Sequence, residues 1–598
     1  MYKYKREINE IDSIRKSTFI LSDKIDTVLC LNSDFSVNKP FNGLYIKNGK
    51  VIISNLIEEF ITKTNNYKIS NILSVNSVSN TNDSYISSID LENMCIKYET
   101  DDFRITKTVY LEEKTGIMAI QYEVENLNKY DATFKVSPAI TYRNIYDMKN
   151  FSMLRFNQRN EENGVVVNLS ITKNEDIVLK SDNMLWNKEV SSLNDITYNV
   201  REDNEKTKIY KEDLLIPGYF DIDVKSNSKL TTVIYICDKV IDISKLSIDE
   251  ISKKDFFLKQ KLQNSIEKEY IELKELAYGV DKFNLKDFFV TSLPFDKKIL
   301  INPNTLQDTI CKLTDLTRAI EGEFLCFGKI KDATKRVLDI QKYIKTIENT
   351  KIENYDTKYK LVILKLWLVE SINVINQKHD LANTFFDLVK EYVMDILNDE
   401  LYKEYLKNIE FVSLLFNALK IYEDMLNKKE IEEKIVYVAL EELKLKVERK
   451  FWNEEKRVLK KNLDEDEIYA NIDMLYAVSL SYPCIGDSIQ FKLLDTVFKE
   501  LYNPYGLREY SKNTLKNTGL IYPKYMAHFV KANLRQNGVT RASRKIAFNL
   551  VRELLLDLNK YVNCGIKKVY SEKGYNIDTL PYDLLTNAEI VRLYDMLM

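Results

Sequence analysis

Two histidines, His379 and His528, are all that the 598 residues contain. A serine–histidine nucleophile or a histidine-rich metal centre therefore has almost no raw material. His528, inside YMAHFVKA, reads as a packed residue rather than a ligand. The seven cysteines, at positions 30, 95, 237, 311, 326, 484 and 564, are scattered and form no CxxC pair. That pattern argues for reduced thiols in a cytoplasmic protein, against disulfides or structural zinc. Cys326, beside Phe327, reads as core. No cofactor and no metal is expected, and the chemistry is read mostly by absence.

Charge narrows the field further. Lys and Arg number 87 against 90 Asp and Glu, a net charge of −3. Neither sign dominates, so nothing electrostatic favours nucleic acid or an anionic membrane. Runs such as KLKVERK read as solvated helix faces. The opening MYKYKREINE lacks the apolar centre of a signal peptide, and no apolar run is long enough for a membrane span. The abundance of Lys, Asn, Ile and Tyr has the look of an AT-rich codon bias, which weakens arguments from tyrosine number. With 45% hydrophobic and 30% charged residues the chain is a folded one. Its length calls for two or three domains.

The elements that must position any chemistry fall into two textures. Residues 1–245 read as strands: FRITKTVYLEE, GIMAIQYEVEN, ATFKVSPAITY and LTTVIYICD are β-branched, aromatic and bounded by turn residues. Many strands without intervening helices imply an antiparallel β-sandwich. Near Leu246 the apolar spacing changes to threes and fours, and 246–280 reads as a linker helix. Residues 281–598 read as nearly all helical, with breaks at Pro303, Pro483, Pro504 and Gly519. No repeat of solenoid period is evident. Within this half, YKLVILKLWLVE (Tyr359 to Glu370) is apolar nearly all round, the mark of a helix packed among other helices. Leu361 to Leu364 alone also admits a strand.

A set of segments, in order along nearly the whole chain, resembles the bacterial glycogen debranching enzymes of the amylo-α-1,6-glucosidase type. KPFNGLY resembles that family's "RRYHGLL", with Asn42 in place of the histidine, and ITYRNIYDM its "NYRD". KEDLLIPGYF resembles "EDL..PG.F". In the helical half FLCFGKIKDATKRVLDIQKYI, FWNEEKRVL, YAVSLSYP, LYNPYGLREYS, GLIYPKYMAHFVKANLR and NAEIVRLY are similar to further family segments. The resemblance implies an N-terminal antiparallel β-sandwich joined to a C-terminal (α/α)6 barrel. It also implies an inverting glycosidase, in which one carboxyl protonates the leaving oxygen and another activates water.

Laid on this chain with Tyr359 and Trp367 as anchors, the family's acid falls on Ile363. Its base falls on Lys568, in GIKKVYSEKG. An isoleucine cannot donate a proton, and an ammonium cannot activate water. In NPNTLQDTICKLTDL, Pro303 and Asp315 persist where the family's tryptophans, glycine and arginine do not. "RPNQ" becomes NIDM (Asn471 to Met474), and the loop with "TWMDA" is too short in NDELYKEYLKN. Glu410 matches the Glu of "VEINALWYNAL". Segments that set packing remain, while those that would line a sugar pocket are replaced.

Asp315 and Glu410 are thus the candidate substrate-binding residues, each also readable as a helix cap or surface charge. Asp356 and Glu572 are the fallback catalytic carboxylates, should shifted loops bring them into the acid and base roles. The implied function is that of a glycogen debranching enzyme-like protein of α-glucan metabolism, catalytically degenerate. It would act as a binder of glycogen or maltodextrin, or as a regulatory partner. The alternatives are an active α-1,6-glucosidase with a relocated carboxylate pair, and an assembly protein that has left carbohydrate altogether. Nothing in the sequence names a protein partner or an oligomeric state.

Overall fold

A computed structural model describes residues 4–5, 18–22, 27–32, 34–47, 49–70, 85–90, 94–112, 115–144, 148, 156–169, 176–201, 207–239, 246, 306–327, 330–350, 352–378, 382–557, 566–572 and 583–597. Apart from Leu246, the expected linker helix 246–280 lies outside the described residues, as does His379.

Alternation builds the N-terminal part. Along Phe103–Leu111 the residues at odd positions are buried and the intervening Arg and Thr residues are not. A period of two aims one set of side chains at a core. Every strand pairing is antiparallel. The nine-stranded sheet is centred on Phe103–Leu111, Met118–Asn126 and Lys229–Cys237, and the ten-stranded sheet on Ala132–Asn144, Lys50–Ile61 and Gly43–Lys47. The two pack face to face in a sandwich-like arrangement around one apolar core. Phe60 meets Phe103 across it at 5.0 Å between ring centroids, and Tyr122 meets Phe134 at 5.1 Å.

Two ion pairs are sealed inside. Lys107 occupies an inward register position, and its Nζ lies 2.6 Å from Glu58 on the opposite sheet, which also accepts from the Tyr122 hydroxyl at 2.7 Å. Arg143 donates to Glu212 through Nε at 2.6 Å and Nη2 at 3.0 Å, and to the Pro40 carbonyl through Nη1 at 2.8 Å. The segments KPFNGLY, ITYRNIYDM and KEDLLIPGYF therefore meet at one buried guanidinium. Asn42 holds the turn beside it, accepting from the backbone N–H of Asn38 and Lys39.

The C-terminal part is helical. Its longer helices are α1 (Leu306–Phe327), α2 (Ile330–Glu348), α3 (Tyr355–Lys378), α4 (Ala382–Leu397), α5 (Ile409–Lys428), α6 (Lys434–Lys446), α7 (Asp487–Glu500), α8 (Met526–Asn537), α9 (Arg541–Asp557) and α10 (Leu584–Leu597). A further single turn of helix spans Tyr476–Ser479. Leu361 to Leu364 belong to α3, so the strand alternative does not hold.

Helix α1 packs on α3, α3 on α5, α5 on the 476–479 turn, that turn on α8, α8 on α10, and α10 back on α1, so the inner layer closes into a ring. Helices α2, α4, α6, α7 and α9 lie outside it, each against one or two inner elements. This explains the composition of α3: every residue from Leu361 to Ile375 is buried. Lys365 reaches the outer layer, where its Nζ lies 2.5 Å from Glu348 and 5.2 Å from the Tyr392 ring centre. Helix α1 crosses α10 closely at Gly322. A Cβ on Gly322 would lie 2.6 Å from the Ala588 Cα.

Candidate functional site

The N-terminal ends of the inner helices gather at one pole of the ring. Tyr359, in the first turns of α3, donates to Glu410 at the start of α5 at 3.5 Å. The charge of Asp473, just before the 476–479 turn, acts on the same Glu410. Asp315 on α1 feels Asp583, which precedes α10, and Lys524, which precedes α8. Turn-forming segments frame this pole: Leu520–Ile521 pairs with Tyr570–Ser571, and Gly519 (φ 70°) turns the chain into that pairing.

Arg318, one turn beyond Asp315, occupies the centre. Its guanidinium carbon sits 4.7 Å from the Trp367 ring centre and 5.8 Å from that of Tyr476. Its Nε and Nη2 are shut off from solvent and meet no acceptor among the described residues. A flat cation with orphan donors, laid against aromatic faces, is suited to a ligand rich in oxygen acceptors. Around it the carboxyls are held toward their neutral forms. Burial, then the charge of Asp473, pushes Glu410 up to about 7. Burial and the neighbouring Asp583 raise Asp315. Burial, then Arg318, lowers Lys524. Lys461 bridges Asp473 at 3.2 Å and the Tyr510 hydroxyl at 2.9 Å.

Asp315 and Glu410, the two expected substrate-binding residues, are thus brought to one guanidinium. Ile363 is buried among core residues of α3. The ammonium of Lys568 lies 2.9 Å from Asp583. Burial works against the Asp583 carboxylate, but Lys568 and the Thr586 donors hold its pKa below the usual range. Glu572 is tied to Arg508 at 2.5 Å, and that bond lowers its pKa. Asp356 is exposed in the first turn of α3. No hydrogen bond or ion pair joins Asp356 to Glu572.

Sequence reasoning missed Arg318, because the segment compared with the family, NPNTLQDTICKLTDL, ends at Leu316, two residues short of it. It also missed that His528 has a serine beside it. Ser479 Oγ lies 3.0 Å from His528 Nδ1, and Glu589 Oε1 lies 3.9 Å from Nε2. All three are enclosed in the ring's interior, and burial together with Arg592 and Arg318 depresses the imidazole pKa strongly. The group is packing, not a nucleophile that substrate could reach.

Among the described residues no helix is long and apolar enough to cross a membrane. Residues 46–231 match the profile of the family described as glycogen debranching enzyme N terminal, and residues 404–528 that of amylo-alpha-1,6-glucosidase. No curated protein sequence matches. Among solved structures, a bacterial glucoamylase complexed with acarbose is similar over 94% of this chain and 92% of its own, with a TM-score of 0.51 at 12% identity. That likeness concerns the fold: sheets followed by a helical region. A protein described as a kojibiose phosphorylase from the human microbiome gives 0.44 at 10% identity over 99% and 88%, and a polysaccharide lyase 0.30 at 10% over 99% of both. Neither of these two scores bears weight. Two profiles of one family in their proper order, over the sheets and over the helices, make this chain a member of the glycogen debranching enzyme-like family.

Proposed function

We propose that this protein serves α-glucan metabolism as a catalytically degenerate debranching-like protein, one that binds glucan without cleaving it. In this reading residues 1–245 form the sandwich domain, 246–280 the linker and 281–598 an (α/α)6 barrel whose pole is the binding site. The observation that carries it is the pair of residues at the places where the family's acid and base should stand. Ile363 is aliphatic and part of the core. Lys568 is cationic and engaged with Asp583. Ile363 cannot donate to a leaving oxygen, and the Lys568 ammonium cannot deprotonate a water in the way inversion requires. Arg318, Asp315 and Glu410 would take the hydroxyls of a terminal glucose, with Trp367 and Tyr476 behind the guanidinium.

The test has two parts. Purified protein releases no glucose from limit dextrin or a 1,6-branched oligosaccharide, yet its migration is retarded in a native gel containing glycogen. Turnover abolished by a single carboxylate change would remove the degenerate reading. Absence of retardation by glycogen, amylopectin and maltodextrins would favour an assembly role instead.

One observation favours a second reading, an active α-1,6-glucosidase with a relocated pair. Glu410, pushed up to about 7, is protonated in part at neutral pH and faces the charge of Asp473. A carboxyl held partly protonated at neutral pH can act as a general acid. Should turnover be found, Glu410→Gln and Asp473→Asn are the variants that assign it, ahead of Asp356→Asn and Glu572→Gln.

A further inference from the structure

Helix α3 carries a row of side chains four residues apart: Trp367, Ile363, Tyr359 and Tyr355. Residues at that spacing are successive neighbours along a helix surface. The row begins deep in the ring, where Trp367 backs the Arg318 guanidinium, and climbs toward the helix N-terminus at the pole. Exposure rises along it: Trp367 and Ile363 are buried, Tyr359 is half-buried and Tyr355 is 40% exposed. At 1.5 Å per residue the row is about 18 Å long, more than the span of one pyranose ring. It bears no charged group from end to end.

Tyr355 is exposed without being loose. Its ring centre lies 6.3 Å from that of Tyr359, with 20° between the planes, and 5.8 Å from that of Tyr405, which is buried. The Asn408 side chain lies beside its hydroxyl. Two routes connect this corner to the interior of the site. Tyr359, one turn below, donates to Glu410. Asn408 accepts from Asn462 at 2.8 Å, and the adjacent Lys461 reaches Asp473, whose charge acts on the same Glu410. A tyrosine held in this way offers a large amphipathic face and gives up little conformational freedom on binding. A pyranose ring, apolar on its faces and ringed by hydroxyls, is a surface that matches it.

We infer that Tyr355 forms an outer subsite, stacking on a glucose unit further along the chain whose terminal unit reaches Arg318. This rests on the glucan-binding reading above and adds a length requirement to it: the ligand is an oligosaccharide end of several units rather than a single glucose. The two contacts differ in kind. Around Arg318 the idle donors fix one ring by its hydroxyls. At the rim an uncharged ring face meets another ring face, which adds affinity with little demand on hydroxyl placement. Length is therefore read at Tyr355 and ring identity at Arg318.

Isothermal titration of the full-length protein with glucose, maltose, maltotriose and maltoheptaose tests this. Maltoheptaose is expected to bind at least about tenfold more tightly than maltose. Tyr355→Ala should bring that ratio close to one, whereas Tyr355→Phe, which keeps the ring, should preserve it. Thermal melting of both variants separates loss of binding from loss of fold. Equal affinity for maltose and maltoheptaose in the parent overturns the inference while the glucan-binding reading stands. So does a Tyr355→Ala variant that weakens both sugars alike, as a merely structural tyrosine would, or that changes neither. If none of the four sugars binds and glycogen causes no retardation, the underlying reading falls and the inference falls with it.

Discussion

The guanidinium of Arg318 lies 4.7 Å from the ring centre of Trp367, yet two of its three nitrogens have no acceptor among the described residues. Burial strips hydration from this cation, but the charges of Glu589 and Asp315 outweigh that loss and raise its pKa, so the charge is held while two donors stay idle. Its retention makes sense as a binding group held ready. Arg318→Met should leave the stability of the free protein within about 1 kcal/mol of the parent, and abolish retardation by glycogen. Chemical denaturation and the native gel read the two effects. A variant that is destabilised and still binds glucan would contradict this role.

Glu410 carries a pH signature. Its folded-state pKa, about 7, stands above the ordinary 4.5. The folded state therefore holds a proton that the unfolded state has released, and stability falls as pH rises from about 4.5 to about 7. Above that window the carboxylate costs up to about 3 kcal/mol. Glu410→Gln should match the parent at pH 4.5 and exceed it at pH 8. Equal pH–stability profiles for the two proteins would rule out the buried carboxyl as the source.

Arg143 and Glu212, with neither side chain exposed, form an ion pair that cannot lose one member. Glu212→Gln leaves the guanidinium uncompensated and should destabilise the sandwich by about 3–5 kcal/mol. Replacing both, as Arg143→Met with Glu212→Leu, should recover most of that loss. Equilibrium unfolding followed by near-UV circular dichroism checks the pair.

Gly322 permits a close approach of α1 to α10. A methyl group there would overlap the Ala588 backbone. Gly322→Ala should therefore destabilise the helical part by about 2 kcal/mol or more, in spite of the higher helix propensity of alanine. A neutral or stabilising effect in thermal melting would mean that α1 and α10 separate easily.

Much of this was legible in one dimension. Alternation along Phe103–Leu111 declares a sheet facing a core, and the all-round apolar run of α3 declares an inner helix. Both follow from local periodicity, which the chain carries wherever it folds. Ordered segments such as KEDLLIPGYF carried the family. What tertiary structure alone decided is which distant groups share a low-dielectric space. Arg318, Glu410 and Lys524 lie on separate elements, and the raised Glu410 pKa, the lowered Lys524 pKa and the idle Arg318 donors arise only when the ring closes and water leaves. Likewise, nothing in the spacing of Arg143 and Glu212 announces a buried pair, because desolvation is a property of the packed chain and not of its order.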